Sequence, residues 1–391
     1  MKSKNILMFA SCNRSFNEQK NVYNSLRQKN CRVIFLYSTK KTTQYPSSQT
    51  IENFNIDCNF EIREDEFRYE FESIGMALPF IPDIVIVSRE SWLPETVIID
   101  EFKRAGSIIT CIENSSWLYN NIKTRLEILS RFRYPTNLID VFFEHSDWCL
   151  KTKEMAGWIT NKSVIVGVPK FDNLNSEKTD DDLNYIIIYG SMEQNIHPKI
   201  IDVLREIKSN EDILQKYRIC YKPHPKEFED FPSLFSSELL KDIIVIDKEE
   251  SLQEFVSKSV CNIGIFSSVM MYPLLNNKKI LYIDEVSSGI LEDMDFKKFE
   301  GHEYEFWKNI INVNSFDDFK SKIGEDRVSE FLIRYSEFIQ KFKSSTSPYS
   351  INSITSDSTE QNYSEIVKYF DEYNDGNASE RIANYLILIF N

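Results

Sequence analysis

The chain has 391 residues, 42% of them apolar, with 28 phenylalanines, 19 tyrosines and a formal net charge of −14. That length supplies core material for one large domain or two of ordinary size, and the acidic balance excludes broad, non-specific nucleic-acid binding, which needs a basic surface. Seven scattered cysteines without a CxxC pair speak against a disulfide framework or zinc site, and the ten glycines form neither GxGxxG nor GxxxxGK[ST], which removes the common phosphate-loop signatures.

Taken in chain order, NILMFA (5–10) and RVIFLY (32–37) read as buried strands on either side of a helix over about 17–29. The run from Ile6 to Ala10 is too short for a secretory or membrane-spanning segment. No other run approaches the roughly 18 apolar residues of a span, so a cytoplasmic location is expected, at most peripheral to the inner membrane. DIVIVS (83–88) is a third strand, and PETVIIDEFKRAG (94–106) is a helix that opens on proline and closes on glycine. SIITCI (107–112), LIDVFFE (138–144) and SVIVGV (163–168) are further strands, with a helix over 147–158. Strands apolar on both faces, alternating with helices, predict a parallel sheet covered on both sides.

The pattern breaks in the acidic KFDNLNSEKTDDDLN, where 173–183 reads as an interdomain linker and Asp180, Asp181 and Asp182 as solvated charge. A second alternating set follows: NYIIIYGS (184–191), a helix over 198–208, RICYK (218–222), DIIVID (242–247), a helix over 250–258, VCNIGIF (260–266), a helix over 267–276 and KILYID (279–284). The expected architecture is α/β: two Rossmann-like doubly wound domains, 1–172 and 184–343, facing across a ligand cleft at the carboxyl ends of their sheets. Within the second, 315–343 reads as helical. Residues 344–361, poor in apolar side chains, read as a flexible loop, and 362–391 as a C-terminal helical segment whose apolar NYLILIF docks back onto the body.

In such folds the loops after strand carboxyl ends carry function. The first half places Arg89-Glu90-Ser91-Trp92, Glu113-Asn114-Ser115 and His145 there; the second half places Gly190-Ser191, Lys222-Pro223-His224-Pro225 and Ser267-Ser268. His224, one of four histidines, sits between two prolines that fix φ, so its imidazole loses little entropy on binding. It can donate a hydrogen bond to a phosphate oxygen, with Lys222 adding charge and Gly190-Ser191 permitting close backbone approach. Ser267 and Ser268 open a helix, whose free N–H groups favour an anion. Together these residues describe a nucleotide-phosphate site with no metal cluster. His197-Pro198 reads first as helix entry, and second as a further contact to the same ligand. His145 is an acceptor-side candidate for hydrogen bonding to a sugar. The plainer readings are that the serines cap a helix and that Glu113 and Glu90 complement a helix dipole.

KPHP after a strand, followed by Ser267-Ser268 at a later helix start, resembles the donor-binding half of bacterial two-domain (GT-B) transferases that build capsules and lipopolysaccharide. It is similar to the HP and serine motifs of sialyltransferases, polysialyltransferases and Kdo transferases, which use CMP-sugars. SVIVGVPKFDNL resembles the G-x-P-x-x-D segment joining the two halves in related transferases, including those using CDP-glycerol. The resemblance runs from about residue 80 to 285. It implies an inverting, metal-independent glycosyltransferase with no cofactor, a CMP-activated ulosonic acid as co-substrate, and an oligosaccharide or polysaccharide acceptor as partner. In the sialyltransferase pattern an acidic pair followed by glycine supplies the base. This chain has Glu113-Asn114-Ser115 there, with one acid and no glycine. The resemblance thus makes Glu113 the base with Glu90 in reserve and His224 the phosphate-facing catalytic group. It makes Gly190, Ser191, Lys222, Pro225, Ser267 and Ser268 the donor-binding set, with Asn114, His145 and His197 as reserve contacts. Two other readings stay open: a CDP-glycerol or CDP-ribitol transferase of the teichoic-acid type, whose members usually carry a histidine and glycine in the Glu113 loop, and a non-catalytic nucleotide- or glycan-binding protein.

Overall fold

The structure, a computed structural model, describes residues 4–10, 13–37, 80–88, 93–112, 138–155, 161–172, 184–191, 197–225, 227–247, 252–265, 268–283, 333, 337–338, 340–356 and 363–389. The described residues up to Asp172, with those from Lys368 onward, form one compact unit; those from Asn184 to Val367 form a second.

The first unit is built on β1 (Asn5–Ala10), β2 (Arg32–Tyr37), β3 (Ile84–Val87), β4 (Ile108–Ile112), β5 (Val141–Glu144) and β6 (Ser163–Ile165). All pair in parallel, in the order β2-β1-β3-β4-β5-β6. Side chains alternate between faces along a strand, and both faces are buried. Ile6 and Met8 point toward α1 (Asn13–Gln28), joining Phe16, Val22 and Leu26, while Leu7 and Phe9 join Ile98 and Phe102 of α2 (Leu93–Arg104) on the other side. A third helix, α3 (Asp147–Met155), follows β5. Helix α2 ends where its glycine predicts. Gly106 takes φ +89°, and Ser107 N–H reaches back to Phe102 O at 2.9 Å, closing the last turn.

The second unit contains β7 (Tyr185–Tyr189), α4 (His197–Lys208), α5 (Glu211–Lys216), β8 (Arg218–Lys222), α6 (Glu227–Asp230), α7 (Pro232–Phe235), β9 (Ile244–Val245), α8 (Leu252–Ser257), β10 (Ser259–Gly264), α9 (Met271–Leu275), β11 (Ile280–Tyr282) and β12 (Ser347–Pro348). Its parallel sheet runs β9-β8-β7-β10-β11-β12. Counted from the unit's own first strand this is the order 3-2-1-4-5-6, the doubly wound arrangement whose switch point lies between β7 and β10. Ile200, Leu204 and Ile207 of α4 pack on Ile186, Ile188 and Ile263 of one face.

Three segments differ from the sequence-based expectation. The helix expected over 267–276 begins as a 3₁₀ turn at Ser268–Met270 and continues as the short α9. The stretch 344–361, expected as a flexible loop, contains β12 and α10 (Ile351–Thr355) in its described part, 344–356. Its serine hydroxyls satisfy backbone: Ser350 Oγ caps α10 by accepting from Ser353 N–H at 3.2 Å, and Ser356 Oγ donates to Ser353 O at 3.1 Å. The C-terminal segment is divided: α11 (Ser364–Val367) belongs to the second unit, and α12 (Ala378–Leu388) to the first. There Ile382, Ala383 and Leu386 join the core around Phe143 and α1, as the apolar NYLILIF predicts. Most of 315–343 and all of the linker 173–183 lie outside the described residues. The five described cysteines, Cys31, Cys111, Cys149, Cys220 and Cys261, are free thiols buried in the cores. Among the described residues no helix is long and apolar enough to cross a membrane.

Candidate functional site

The 3-2-1-4-5-6 order brings three loops to one edge of the second sheet. Strand β7 lies between β8 and β10, so Gly190-Ser191 after β7 stand between Lys222-Pro223-His224-Pro225, which opens on the last residue of β8, and the turn that opens at Ser268 after β10. Tyr189 is in register with Lys222, and Gly190 N–H donates to Lys222 O at 2.8 Å, so the first two loops leave the sheet side by side. Lys222 is buried at this edge with its Nζ 3.5 Å from Pro223 O, while His224 is half-buried and Pro225 exposed.

A residue that motif reading passes over organises this edge. Glu227, the first residue of α6, is fully buried. Its Oε2 accepts from His224 N–H at 2.8 Å, while Glu227 N–H donates to His224 O at 2.9 Å. That reciprocal pair closes the turn from His224 into α6, the carboxylate reaching back to a backbone N–H three residues earlier. Tyr221, inside β8, donates its hydroxyl between the two carboxylate oxygens, 2.9 Å from each. Ser191 N–H approaches Oε1 at 3.4 Å, and His197 Nδ1 lies 2.9 Å from the same oxygen. Since a carboxylate accepts, Nδ1 carries the imidazole proton. The His197 ring lies flat on Phe231, centroids 3.7 Å apart and 4° from parallel. Burial, then the Glu227 charge and hydrogen bond, push the Tyr221 phenol far above its ordinary range, so it remains a donor.

This arrangement gives two of the expected contact residues a structural duty. Gly190 is required by the protein itself as much as by any ligand: a Cβ there would stand 1.9 Å from Glu227 Oε2 and 2.7 Å from the Tyr221 hydroxyl. His197 does open a helix, as expected, but its ring is buried between Glu227 and Phe231 and serves the internal network. Where an anion-binding helix start was expected, Ser268–Met270 form a 3₁₀ turn, whose dipole is small; Ser267 and the Ser268 side chain lie outside the described residues. Glu90, Glu113 and Asn114 also lie outside them.

His145 follows β5 in the first unit and is buried rather than presented to a sugar, its Nε2 4.0 Å from Glu18 Oε2. Lys170 Nζ stands 3.7 Å from the other Glu18 oxygen. Glu18 lies on the buried stripe of α1, one turn before Val22, where a carboxylate is unusual. The GVPKFD segment has a structural duty. Gly167 takes φ +90° and leaves room for Asp371 Oδ1, which a Cβ would meet at 2.6 Å. Asp172 accepts from Ala378 N–H at 2.8 Å and Ser379 N–H at 2.7 Å, capping α12. Asp371 Oδ2 accepts from Val168 N–H at 3.3 Å. Burial raises the pKa of both aspartates above the ordinary carboxylate value.

Two Rossmann-like parallel α/β units with C-terminal helices place the chain in the GT-B fold class. No family model and no curated protein sequence matches the chain; its likeness is to solved structures. The Staphylococcus aureus MnaA–UDP complex aligns with a TM-score of 0.58 at 15% identity, over 98% of this chain and 96% of the other. UDP-GlcNAc 2-epimerase from Neisseria meningitidis, bound to UDP-GlcNAc, gives 0.57 and 14% over 98% and 99%. The wall teichoic acid polymerase TagF, soaked with CDPG, gives 0.50 and 13% over 98% and 88%. At these identities the likeness is one of fold.

Proposed function

We propose that this protein is a nucleotide-sugar enzyme, a glycosyltransferase whose donor phosphate is held by the β8–β7–β10 edge of the second unit. The observation that carries the reading is the convergence of Lys222-Pro223-His224-Pro225, Gly190-Ser191 and the Ser268 turn on adjacent strand ends at the switch point. Fold neighbours crystallised with UDP, UDP-GlcNAc and CDPG support a nucleotide-linked ligand.

The donor we favour, from the KPHP and Ser-Ser resemblance, is a CMP-activated ulosonic acid of the sialic acid or Kdo type, transferred to a hydroxyl of a bacterial surface glycan. Glu113 takes the proton of the attacking hydroxyl, the new C–O bond forms at the anomeric carbon with inversion, and the bond to the CMP phosphate oxygen breaks. The leaving CMP keeps that electron pair, and His224 and Lys222 stabilise the charge that develops on its phosphate. No metal or cofactor takes part. A second reading, favoured by the TagF likeness, keeps the site and makes the donor a CDP-polyol, with attack at phosphorus; a third is a binding protein without chemistry.

A thermal-shift panel of CMP, CDP, UDP and GDP tests the donor class: stabilisation by CMP above the others is expected, and preference for UDP or GDP would overturn it. Turnover that survives EDTA is expected of the metal-free mechanism. Glu113→Gln should bind CMP as before and lose transfer; unchanged transfer would remove Glu113 as the base.

A further inference from the structure

Four donors meet on the buried Glu227 carboxylate, from four places in the chain: the His224 N–H after β8, the Ser191 N–H after β7, the Tyr221 hydroxyl within β8 and the His197 ring at the start of α4. Closing the local turn from His224 to Glu227 accounts only for the first. The other three join the loops of two neighbouring strands and the entry of α4 into one hydrogen-bonded body. Gly190 is shaped to admit the carboxylate.

We infer that Glu227 is a positioning residue of the nucleotide site: it fixes the backbones of His224 and Ser191, so that their side chains, with Lys222 beside them, meet a phosphate already aligned. The inference rests on reading this edge as a nucleotide-phosphate site. The carboxylate is fully buried and acts through the loops it holds, without touching the ligand. A loop fixed in advance loses less entropy when the phosphate binds, and hydrogen bonds to that phosphate weaken steeply when donors swing out of line. Charge alone has the opposite sign. A carboxylate near a phosphate repels it, so neutralising Glu227 would tighten phosphate binding if alignment were not its role.

The test compares CMP with cytidine by calorimetry, the ratio of their affinities measuring what the phosphate contributes. Wild type, Glu227→Gln, His224→Ala and the double variant are measured together. Glu227→Gln is expected to cut the CMP-to-cytidine ratio by about tenfold, the scale of a charge-assisted hydrogen bond lost from alignment, while cytidine affinity stays the same. In the His224→Ala background most of that loss should vanish, because the two residues act as one. An unchanged or increased ratio in Glu227→Gln, or losses that add in the double variant, overturns the inference. If wild type binds CMP no better than cytidine, the nucleotide-site reading fails and the inference with it. A ratio lost in His224→Ala but kept in Glu227→Gln overturns the positioning role alone. Should Glu227→Gln not fold, Tyr221→Phe removes one donor from the same carboxylate and should lower the ratio in the same direction; no change there overturns the inference.

Discussion

At the residue scale the most constrained position is Gly190. Because a Cβ would meet a buried carboxylate at 1.9 Å and a phenol at 2.7 Å, neither able to retreat from a closed network, Gly190→Ala should destabilise the second unit. Overpacking of this kind costs about 1–3 kcal/mol, and the tightness of the contact places this one near the upper end. Chemical denaturation of the variant against wild type measures it, and a loss below ~0.5 kcal/mol would show that Glu227 is not seated as described. Burial pushes the thiols of Cys220 and Cys261 up to about 12. A thiol held protonated is a poor nucleophile, so an alkylating reagent at pH 8 should leave both unmodified in the folded protein and label them on unfolding, as peptide mapping would read. The His224 loop was legible in the sequence because two prolines and a histidine are rare neighbours. Glu227 was not, since a glutamate in KEFED looks like surface charge until β7, β8 and α4 are brought together around it.

At the element scale, α12 depends on a cap supplied from far away in sequence. Asp172 accepts from two of its first N–H groups, so Asp172→Ala should cost about 1–2 kcal/mol. Asp172→Asn keeps an acceptor and removes the titration. Burial raises the folded-state pKa of Asp172 above its unfolded value, so the native state binds the proton more tightly. Stability contributed by this group therefore falls as pH rises through the window between the two values, and is regained on acidification. Thermal melts across that window, just above the ordinary carboxylate range, should show wild type gaining on Asp172→Asn as the pH is lowered; a gain in the opposite direction would refute the assignment. GVPKFD was visible as a motif joining two halves. Its physical task, capping a helix two hundred residues on and making room for Asp371, belongs to contacts no local pattern encodes.

At the scale of the whole molecule, the first unit is not continuous in sequence. Ile382, Ala383 and Leu386 complete the apolar core that α1 lays over the sheet, and Ser146 Oγ donates to Tyr369 O at 2.8 Å. Each large apolar side chain withdrawn from such a core costs about 2–5 kcal/mol, comparable together to the stability of a domain. Deleting residues 368–391 should therefore unfold the first unit while the second retains its cooperative transition. Hydrogen exchange at Val22 and Leu26, against Ile188 and Ile263, checks this; retained protection in α1 would mean that the C-terminal helix is dispensable.

The sequence by itself determined the repeated strand–helix alternation, the strands apolar on both faces and the two parallel sheets, because burial on both sides leaves a local and periodic signature. It also determined that His224 and Gly190-Ser191 follow strands and that Lys222 ends one, since prolines, glycines and the end of an apolar run mark such loops. Only the tertiary structure decided that β7 is the central strand between β8 and β10, which makes those loops neighbours. Strand order depends on crossovers whose pairing partners are far apart in the chain. The same physics hid Glu227, Glu18 and the division of the C-terminal segment. A buried carboxylate or a docking helix is defined by what meets it in space, and those partners are scattered through the sequence.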